Sequence, residues 1–555
     1  MNSKTTAKNR LIILAVLTAL AAIYLVPLGG YPLLEPDEGR YAEIPREMLE
    51  SGNFITPMLN YVQYFEKPAM LYWMNAASFA AFGQNEFAAR FASAVCALLG
   101  AAVTGALASL IFGSGAGILA SVMTALSLLY FAIGTINITD MPMSFFLTLT
   151  MASFYVGHIK REKKWYLLFY ASMALGLLTK GLIAIVLPGG IIFWYIIFTR
   201  KWKLFIEALY IPGIILFFAI SVPWFYMVCK ANPDFFHFFF IQEHFLRYAT
   251  KMHNRYEPFW FFLPMIPAGL MPWTPLFLSL FSKESIVRSP ENSAQKDAVI
   301  YLLLWFGVIL LFFSLSDSKL IPYITPCMPP LAILMTGDIC RMVKREKWHG
   351  GVLWWMLGIS SVFSVALIAY PFIGDEISVY DALPIASKAV LGLMLAPIYA
   401  LIFTTHGRRR FREIVIVFCI SALFFIAGIQ GIYKILGERR SMKDVSAAIN
   451  AEWQQGETVA AYGEILQGIP FYTKKRVMLI GATGELEFGS KHKEGEGWFP
   501  NNEEFLKEWK SGSRKFVLAI EKDRVQDLFP DGNTYETKRC DVGDYLVLFN
   551  REASK

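Results

Sequence analysis

The sequence is poor in charge for its length. Only 17% of its 555 residues are charged, whereas 55% are hydrophobic and 15% are aromatic. Apolar windows of about 18 residues or more recur through residues 1–435, which is typical of chains that cross a bilayer repeatedly. The composition therefore argues against a soluble enzyme and predicts an all-α polytopic membrane protein.

Several signatures of other protein classes are missing. The six cysteines lie far apart, mostly inside apolar runs, so neither a disulfide framework nor a cysteine metal cluster is expected. There is no Walker loop, no dinucleotide fingerprint and no D-x-D nucleotide-sugar signature in a cytosolic segment. The net charge of +7 is carried largely by basic residues in short loops, as membrane orientation requires, and it predicts no nucleic-acid partner.

The apolar segments predict about thirteen membrane-spanning helices. They lie near residues 11–29, 87–111, 115–134, 141–158, 165–179, 182–198, 205–228, 259–281, 298–315, 321–340, 351–373, 386–404 and 413–435. The first segment is expected to stay in the protein as a helix, because it is long for a signal peptide and no clear cleavage site follows it.

Basic clusters orient these helices. They occur on every second connection, at residues 160–164, 200–203, 341–347 and 408–412. Basic loops stay in the cytoplasm, so these ends are expected to be cytoplasmic. By alternation, the opposite, periplasmic face carries residues 30–68, Asp140, 229–258, 317–319 and 436–555.

The character of the chain changes after residue 435. Short β-like runs such as "TVAAYG" and "KFVLAI" alternate there with polar helical stretches such as "NNEEFLKEWK". This pattern predicts a small periplasmic α/β domain over residues 436–555, following a transmembrane catalytic domain over residues 1–435.

Residues 37–49 can form an amphipathic helix in the first external loop. Its apolar side consists of Tyr41, Ile44, Met48 and Leu49. Glu43, Arg46 and Glu47 are expected to face water, with the helix lying flat in the membrane interface. Pro45 is expected to kink it, so a single straight helix is not predicted.

Six short motifs occur in order along the chain: "PDEGRYAEIPREM", "YFEKP", "TKG", "EHFLRY", "PFWFFLP" and "SDSKLIPY". With an acidic residue, Asp37, just after the first helix, they resemble the lipid A 4-amino-4-deoxy-L-arabinose transferase family. That family has the GT-C glycosyltransferase fold and is related to protein O-mannosyltransferases. The resemblance is strong over residues 8–345 and rests on architecture alone beyond them.

The resemblance implies an inverting pentosyltransferase of the bacterial inner membrane, multi-pass and acting on the periplasmic side. The donor is an aminosugar linked to undecaprenyl phosphate, and the acceptor is a phosphate of lipid A. Such transfer confers resistance to polymyxin and cationic antimicrobial peptides. A monomer in the lipid bilayer is expected.

The same resemblance implies a set of site residues. The catalytic candidates are Asp37, Asp140 and Lys67. The candidate substrate-binding residues are Arg40, Tyr41, Lys180, Arg247, Arg255, Lys319 and Tyr323. Cations are expected to stabilise the departing phosphate, which gains negative charge as its bond to the sugar breaks. An ionised phosphate acceptor needs no strong general base, so Asp37 is expected to orient a substrate and stabilise positive charge on the sugar.

Glu66 and His244 are candidate ligands of a divalent ion, Zn²⁺ being the best match for one nitrogen and one oxygen ligand. Two ligands make a weak site, and a hydrogen-bonded histidine explains His244 equally well. The metal is not expected to be catalytic.

Simpler structural interpretations stand beside these roles. Lys67 and Lys180 can extend from helix ends toward the interface, Arg255 can be an ordinary loop charge, and Asp140 can cap a helix. The aromatic run at residues 258–275 fits either an interfacial belt or a groove for the isoprenoid tail.

Two other functions are open from the sequence. A related enzyme could transfer another polyprenyl-phosphate sugar to a protein or glycan. A lipid transporter or flippase is less favoured, because the polar residues gather at one face and not at the bilayer midplane.

Overall fold

The computed structural model describes residues 3–246, 257–346, 351–373, 379–405, 411–463 and 466–551. The chain divides into two compact units. The helical unit comprises Met1–Leu28, Phe91–Tyr226 and Phe236–Tyr433. The mixed unit comprises Gly29–Arg90, Met227–Phe235 and Lys434–Lys555. The predicted division after residue 435 stays a prediction.

Long apolar helices dominate the described chain up to residue 440. The α-helices there are Ser3–Leu25, Asp37–Ser51, Met70–Phe82, Glu86–Phe112, Ser114–Ala125, Leu128–Gly134, Asp140–Lys160, Lys164–Lys180, Ile183–Thr199, Lys203–Ala208, Ile211–Ala231, Phe262–Gly269, Thr274–Ser279, Ser293–Leu315, Met328–Arg345, Val352–Ile373, Val379–Thr405 and Phe411–Arg440. A π-helix covers His237–Leu246 and a 3₁₀-helix covers Ile321–Cys327.

Five of the described helices are long and apolar enough to cross a membrane by themselves. They are Glu86–Phe112, Ile211–Ala231, Ser293–Leu315, Ala382–Ile402 and Glu413–Arg440. A sixth span arises if Ser114–Ala125 and Leu128–Gly134, bent by 66°, are counted as one. A mostly helical, multi-pass membrane protein is thus confirmed, and the number of about thirteen spans stays a prediction.

The predicted spanning helix over residues 259–281 is wrong. Two short helices, Phe262–Gly269 and Thr274–Ser279, stand there instead. Pro272 lies between them, where it cannot donate the backbone hydrogen bond that would continue the first helix. Hydropathy alone overestimated the length of this helix because proline does not lower the apolar character of the segment.

The mixed unit contains two sheets. A small antiparallel pair joins β1 (Met58–Leu59) to β2 (Val62–Gln63). The other strands are β3 (Thr458–Tyr462), β4 (Val477–Ile480), β5 (Phe516–Glu521), β6 (Lys538–Val542) and β7 (Tyr545–Phe549). They form one sheet in the order β4-β3-β5-β7-β6, with β4, β3 and β5 parallel and β7 and β6 antiparallel.

Short helices alternate with the strands of the five-stranded sheet along the sequence. The α-helices are Lys443–Glu452, Gly468–Thr473, Glu487–Ser490, Asn502–Ser511 and Val525–Leu528, with 3₁₀ turns at Gly484–Leu486, Lys493–Gly495 and Lys522–Arg524. Strand β4 is buried at all four of its residues, as expected of a strand in a parallel arrangement. Its core partners include Phe505 and Trp509, which helix Asn502–Ser511 contributes to the same apolar cluster.

The first loop and the C-terminal region share a second apolar cluster within the mixed unit. It joins Leu33, Ala42, Phe79, Ala88, Ala89 and Phe471. Burial of these side chains fixes helix Asp37–Ser51, called the Asp37 helix below, against residues that follow position 434.

Candidate active site

The Asp37 helix begins where its sequence predicts. Pro36 precedes it, and Asp37 and Glu38 occupy its first turn, where the positive end of the helix dipole favours acids. The helix continues through Pro45 to Ser51, and the kink expected at Pro45 stays a prediction.

Three charged side chains of this helix that were predicted to face water are buried, so that prediction is wrong. Glu43, Arg46 and Glu47 are at most 3% exposed. Arg46 donates hydrogen bonds of 2.6 Å from Nε and from Nη2 to the two carboxylate oxygens of Glu43. Both oxygens of Glu47 accept from the backbone N–H of Tyr61, at 3.2 and 3.0 Å. An amphipathic pattern cannot distinguish charges that face water from charges that pair with one another inside the protein.

Burial disfavours the charged form of the Glu47 carboxyl. It raises the pKa of Glu47 well above its usual value, and the nearby Glu43 carboxylate raises it further. Arg46 opposes this shift but is already paired with Glu43. The middle of the Asp37 helix is therefore a structural network.

Arg40 is the centre of the candidate site. One guanidinium nitrogen, Nη2, lies 2.9 Å from Oδ1 of Asp37, and the other, Nη1, lies 2.6 Å from Oε2 of Glu485. Nη1 also donates to the hydroxyl of Tyr64 at 3.2 Å. The Arg40 side chain is 6% exposed, whereas Asp37 is 57% exposed and Glu485 33%. A buried cation thus holds two carboxylates that remain accessible.

Lys67 and Glu66 belong to the same site. The ammonium of Lys67 donates to the Glu66 carbonyl oxygen at 3.0 Å and lies 3.9 Å from the Glu66 carboxylate. Both side chains are 16% exposed. Burial raises the pKa of Glu485. Of its charged neighbours, Arg40 and Lys67 lower that pKa, whereas Glu66 and Asp37 raise it. Each of these four groups therefore interacts electrostatically with Glu485. We call Asp37, Arg40, Glu66, Lys67 and Glu485 the five-charge group.

Tyr41 contributes packing beside this group. Its side chain is 4% exposed, and its ring stacks on Tyr72 with the centroids 6.2 Å apart. The Arg40 guanidinium carbon lies 5.3 Å from the Tyr41 ring centroid, within range of a cation–π interaction. Substrate binding by Tyr41 stays a prediction.

Two residues of this region were missed by sequence reasoning. Glu485 lies more than 400 positions from Asp37, in a segment without a motif, and only the fold brings it to Arg40. Glu35 stands next to Pro36, and its Oε1 accepts a 2.7 Å hydrogen bond from the backbone N–H of Gly468. Its place beside the "PDEGR" motif was the available signal for Glu35, and there was none for Glu485.

Glu35 provides a test of this arrangement through pH. Burial raises its pKa from 4.5 to about 8, while hydrogen bonds from Gly468 and Gln467 oppose the shift. The folded chain therefore holds a proton that the unfolded chain releases, and stability falls as pH rises from about 4.5 to about 8. We expect the free energy of unfolding of Glu35→Gln to exceed that of the wild type by on the order of 2–4 kcal/mol at pH 8 and to differ little from it at pH 5. The variant should therefore unfold at a higher temperature at pH 8.

Thermal unfolding of the detergent-solubilised protein between pH 5 and pH 8.5 measures this difference. Glu503→Gln, an exposed change in the same unit, should leave the pH profile unaltered. An offset between Glu35→Gln and wild type that is the same at every pH would show that Glu35 is ionised in the folded protein.

A second group of predicted site residues lies in the helical unit. Lys180 ends its helix, and its ammonium lies 2.5 Å from Oδ1 of Asp140 and 4.8 Å from the centroid of the Tyr323 ring. Asp140 is the first residue of its helix, where Thr139 is the N-cap residue. Capping by Asp140 is therefore not observed, and its carboxylate pairs with Lys180 instead.

Lys319 is also buried in the helical unit. It is 5% exposed, and its ammonium donates to the backbone oxygens of Glu257 and Ser316, at 2.9 and 2.5 Å. Neutral carbonyl partners leave its positive charge uncompensated by these contacts, which suits an anion-binding role.

The side chains of three predicted site residues are not described by the structure. Arg247 and Arg255 lie outside the described residues, and so does the side chain of His244, whose backbone belongs to helix His237–Leu246. Among the described residues, no set of three or more His, Cys, Asp or Glu side chains could hold a metal ion.

The chain is similar to two known families over separate ranges. Dolichyl-phosphate-mannose-protein mannosyltransferases match residues 9–239. The aminoarabinose transferase C-terminal domain matches residues 445–536. The first range includes the first loop, and the second includes strands β3, β4 and β5.

Relatives match nearly the whole chain. An undecaprenyl phosphate-α-4-amino-4-deoxy-L-arabinose arabinosyl transferase of Erwinia tasmaniensis is 30% identical over 523 residues, covering 91% of this chain and 92% of the relative. The transferase of the same name from Edwardsiella ictaluri is 28% identical and covers 96% of this chain and 97% of its own.

Solved structures agree. The crystal structure of ArnT from Cupriavidus metallidurans bound to undecaprenyl phosphate superposes with a TM-score of 0.83 at 28% identity, covering 97% of this chain and 98% of that one. The archaeal oligosaccharyltransferase AglB from Archaeoglobus fulgidus superposes with a TM-score of 0.52 at 10% identity, covering 94% of this chain and 70% of that one, which shows a shared fold only.

Proposed function

This chain belongs to the undecaprenyl phosphate-α-4-amino-4-deoxy-L-arabinose arabinosyl transferases, and we propose that it passes the aminosugar from undecaprenyl phosphate to a phosphate of lipid A. It is a membrane-embedded glycosyltransferase that uses a lipid-linked sugar. The proposal places the reaction on the periplasmic side of the bacterial inner membrane. The match along nearly the whole chain carries this conclusion.

The five-charge group suits the electrostatics of this transfer. As the bond between sugar and phosphate breaks, the phosphate becomes more negative and the sugar becomes positive. We propose that Lys67 stabilises the departing phosphate and that the exposed carboxylate of Asp37 faces the sugar. The five-charge group contains three carboxylates and two cations. Its excess negative charge would also attract a free, positively charged amino group on the sugar.

No residue needs to remove a proton from the acceptor. A lipid A phosphate is already ionised near neutral pH, so its oxygen can attack the anomeric carbon directly. Attack opposite the departing phosphate inverts the configuration at that carbon. Asp37 then acts by orientation and charge, with Arg40 holding its carboxylate at 2.9 Å.

The residues of the helical unit are proposed to bind phosphate. Lys180 and Lys319 supply positive charge, and the hydroxyl of Tyr323 can donate a hydrogen bond to a phosphate oxygen. Arg247 and Arg255 are proposed for the same task on the basis of sequence alone. A divalent ion on Glu66 and His244 stays a proposal, and no step of the transfer depends on it.

Transfer of an amino sugar alters the outer surface of a bacterium. Each transfer adds an ammonium group beside an anionic lipid A phosphate and so reduces the negative surface potential. Polymyxin and other cationic peptides then bind less strongly. We propose this resistance as the biological consequence, and a monomer as the working form.

Lipid A mass spectrometry tests the proposal. We expect a polymyxin-sensitive strain that makes the lipid-linked aminosugar but lacks a transferase to gain aminoarabinose-modified lipid A when it expresses this chain. Polymyxin tolerance should rise in parallel. If lipid A stays unmodified while the folded protein is present in the membrane, lipid A is not the acceptor. Sugar transfer from a polyprenyl phosphate would then have to be tested with other acceptors.

A further inference from the structure

Lys67 lies at the end of a short segment that leaves the β1-β2 hairpin. The hairpin turns at Asn60 and Tyr61, whose φ angles of 54° and 62° are positive, as a two-residue turn between paired strands requires. The Asn60 side-chain amide pairs with the N–H and the C=O of Val477 in β4, at 2.8 and 2.7 Å. The tip of the hairpin is therefore fixed to an edge strand of the five-stranded sheet.

The second strand of the hairpin is covered by helix Glu487–Ser490. A Cβ placed on Gly489 would lie 2.5 Å from the carbonyl oxygen of Gln63 and 2.9 Å from Cβ of Val62, so this helix approaches β2 as closely as a glycine allows. The hairpin is thus held at its tip and along β2, and both contacts lie before residues 64–67.

Phe65 holds the segment that follows. Its side chain is 1% exposed and contacts two other phenylalanine rings. It meets the Phe235 ring edge to face, with the centroids 5.0 Å apart and the planes at 87°, and its centroid lies 5.4 Å from that of Phe488. Aromatic pairs at these separations attract each other beyond the area that they bury. We call Phe65, Phe235 and Phe488 the Phe65 cluster.

Both partners of the central ring are fixed by other contacts. Phe235 is fully buried, and Asn232, three residues before it, donates from Nδ2 to the hydroxyl of Thr56 in the first loop at 2.9 Å. Phe488 is adjacent to Gly489, whose helix lies directly on β2. The cluster therefore provides a rigid seat for the segment that leads to Lys67.

We propose that Phe65 is a positioning residue for the sugar-transfer reaction: its packing in the Phe65 cluster sets the place of the Lys67 ammonium against the departing phosphate. This proposal rests on the proposed function, in which Lys67 stabilises that phosphate. Phe65 lies two residues before Lys67, so displacement of its ring moves the backbone that carries the ammonium. Phe65 acts through Lys67 and not on the substrate.

The Lys67 ammonium depends on a fixed backbone because lysine carries its charge on a long, flexible stem. Its Nζ donates to the carbonyl oxygen of Glu66 at 3.0 Å and lies 3.9 Å from the Glu66 carboxylate. Both contacts are made to the preceding residue, so they move with the same segment of backbone. A displacement of about 1 Å near reacting groups can lower a rate by about 100-fold.

The test compares Phe65→Leu and Phe488→Leu with wild type, using full-length protein in nanodiscs, the undecaprenyl phosphate-linked aminosugar and lipid A. Leucine stays apolar but removes the ring contacts of the cluster. We expect each variant to lower kcat by about 10-fold or more and to change KM for lipid A by less than about threefold. Phe488→Tyr keeps a ring at a half-buried position and should retain most of the rate.

Phe505→Leu is the matched control, because it also removes a buried ring from the mixed unit. Phe505 is 1% exposed in the core of the five-stranded sheet. Its replacement should lower the thermal unfolding midpoint, as Phe65→Leu does, but should leave kcat within about twofold of wild type. Equal losses of kcat in Phe505→Leu and Phe65→Leu would show that a loosened unit slows the reaction and would remove the case for positioning.

A double-mutant cycle with Lys67→Arg identifies the residue through which Phe65 acts. Arginine keeps the positive charge but changes its place, so Phe65→Leu should cost much less rate in the Lys67→Arg background than in wild type. Losses that multiply, or a Phe65→Leu rate equal to wild type, would overturn the positioning role. A wild-type protein that leaves lipid A unmodified contradicts the proposed function instead, and release of undecaprenyl phosphate then serves to compare the same variants with another acceptor.

Discussion

Replacement of Asp37 by Asn is expected to reduce sugar transfer by about 100-fold or more while undecaprenyl phosphate still binds. Asparagine keeps the size of the side chain but removes the negative charge that would face the developing positive charge of the sugar. It also removes the ion pair with Arg40, although Glu485 continues to hold the other guanidinium nitrogen. The rate, measured as aminoarabinose-modified lipid A formed by purified protein, should fall much more than the affinity for undecaprenyl phosphate.

Asp444→Asn is the matched control, because Asp444 is an exposed aspartate in the first turn of another helix of the same unit. It should transfer sugar at the wild-type rate. A variant Asp37→Asn that retains more than about a tenth of the wild-type rate would exclude a dominant electrostatic role. Loss of lipid binding together with activity would indicate that Asp37 is needed for donor binding and not for the transfer step.

Hydropathy located most of the helices, because a long apolar run has few alternatives to helix in a membrane. The runs predicted at residues 87–111 and 298–315 correspond to Glu86–Phe112 and Ser293–Leu315. The run at residues 259–281 failed, because its prolines divide the segment without changing its apolar content. Helix Met70–Phe82 was missed, since 13 residues are too few to register as a span.

The charges of the first loop show a different limit. Their sequence pattern correctly predicted a helix, whereas the catalytic roles of Asp37 and Lys67 stay predictions. It could not show that Glu43 and Arg46 are buried as a pair, because each has a spacing that would equally suit a water-facing side. Pairing of this kind depends on what covers the helix, and that is decided by residues such as Phe471, far away in the sequence.

Glu485 illustrates why half of a site can be invisible in a sequence. Asp37 and Arg40 lie one helical turn apart, so local spacing alone brings them together. Glu485 meets Arg40 through the folded unit, in which strand β4 lies in the sheet and Asn60 pairs with Val477. A short sequence motif can reveal contacts between residues that lie within one or two helical turns of each other. Contacts between residues far apart in the sequence have no characteristic spacing, so a motif cannot predict them.

Arg90 is expected to be the side chain on which the stability of the mixed unit depends most. It is fully buried and pairs with Glu38, which is 2% exposed, through hydrogen bonds of 2.7 Å from Nε and 2.6 Å from Nη2. It also donates to the carbonyl oxygens of Tyr31 and Pro32, both at 2.8 Å. Arg90→Met should therefore destabilise the protein by about 3–5 kcal/mol, because it leaves the Glu38 carboxylate buried without its cation.

The thermal unfolding midpoint in detergent measures this loss, and a second change reveals its cause. Adding Glu38→Gln to Arg90→Met should restore part of the stability, since a neutral amide is far easier to bury than a carboxylate without a cation. Lys491→Met, which breaks the exposed pair with Glu487, should have little effect. If the double variant is less stable than Arg90→Met alone, the cost lies in lost packing and backbone contacts, and Glu38 is not the reason that Arg90 is needed.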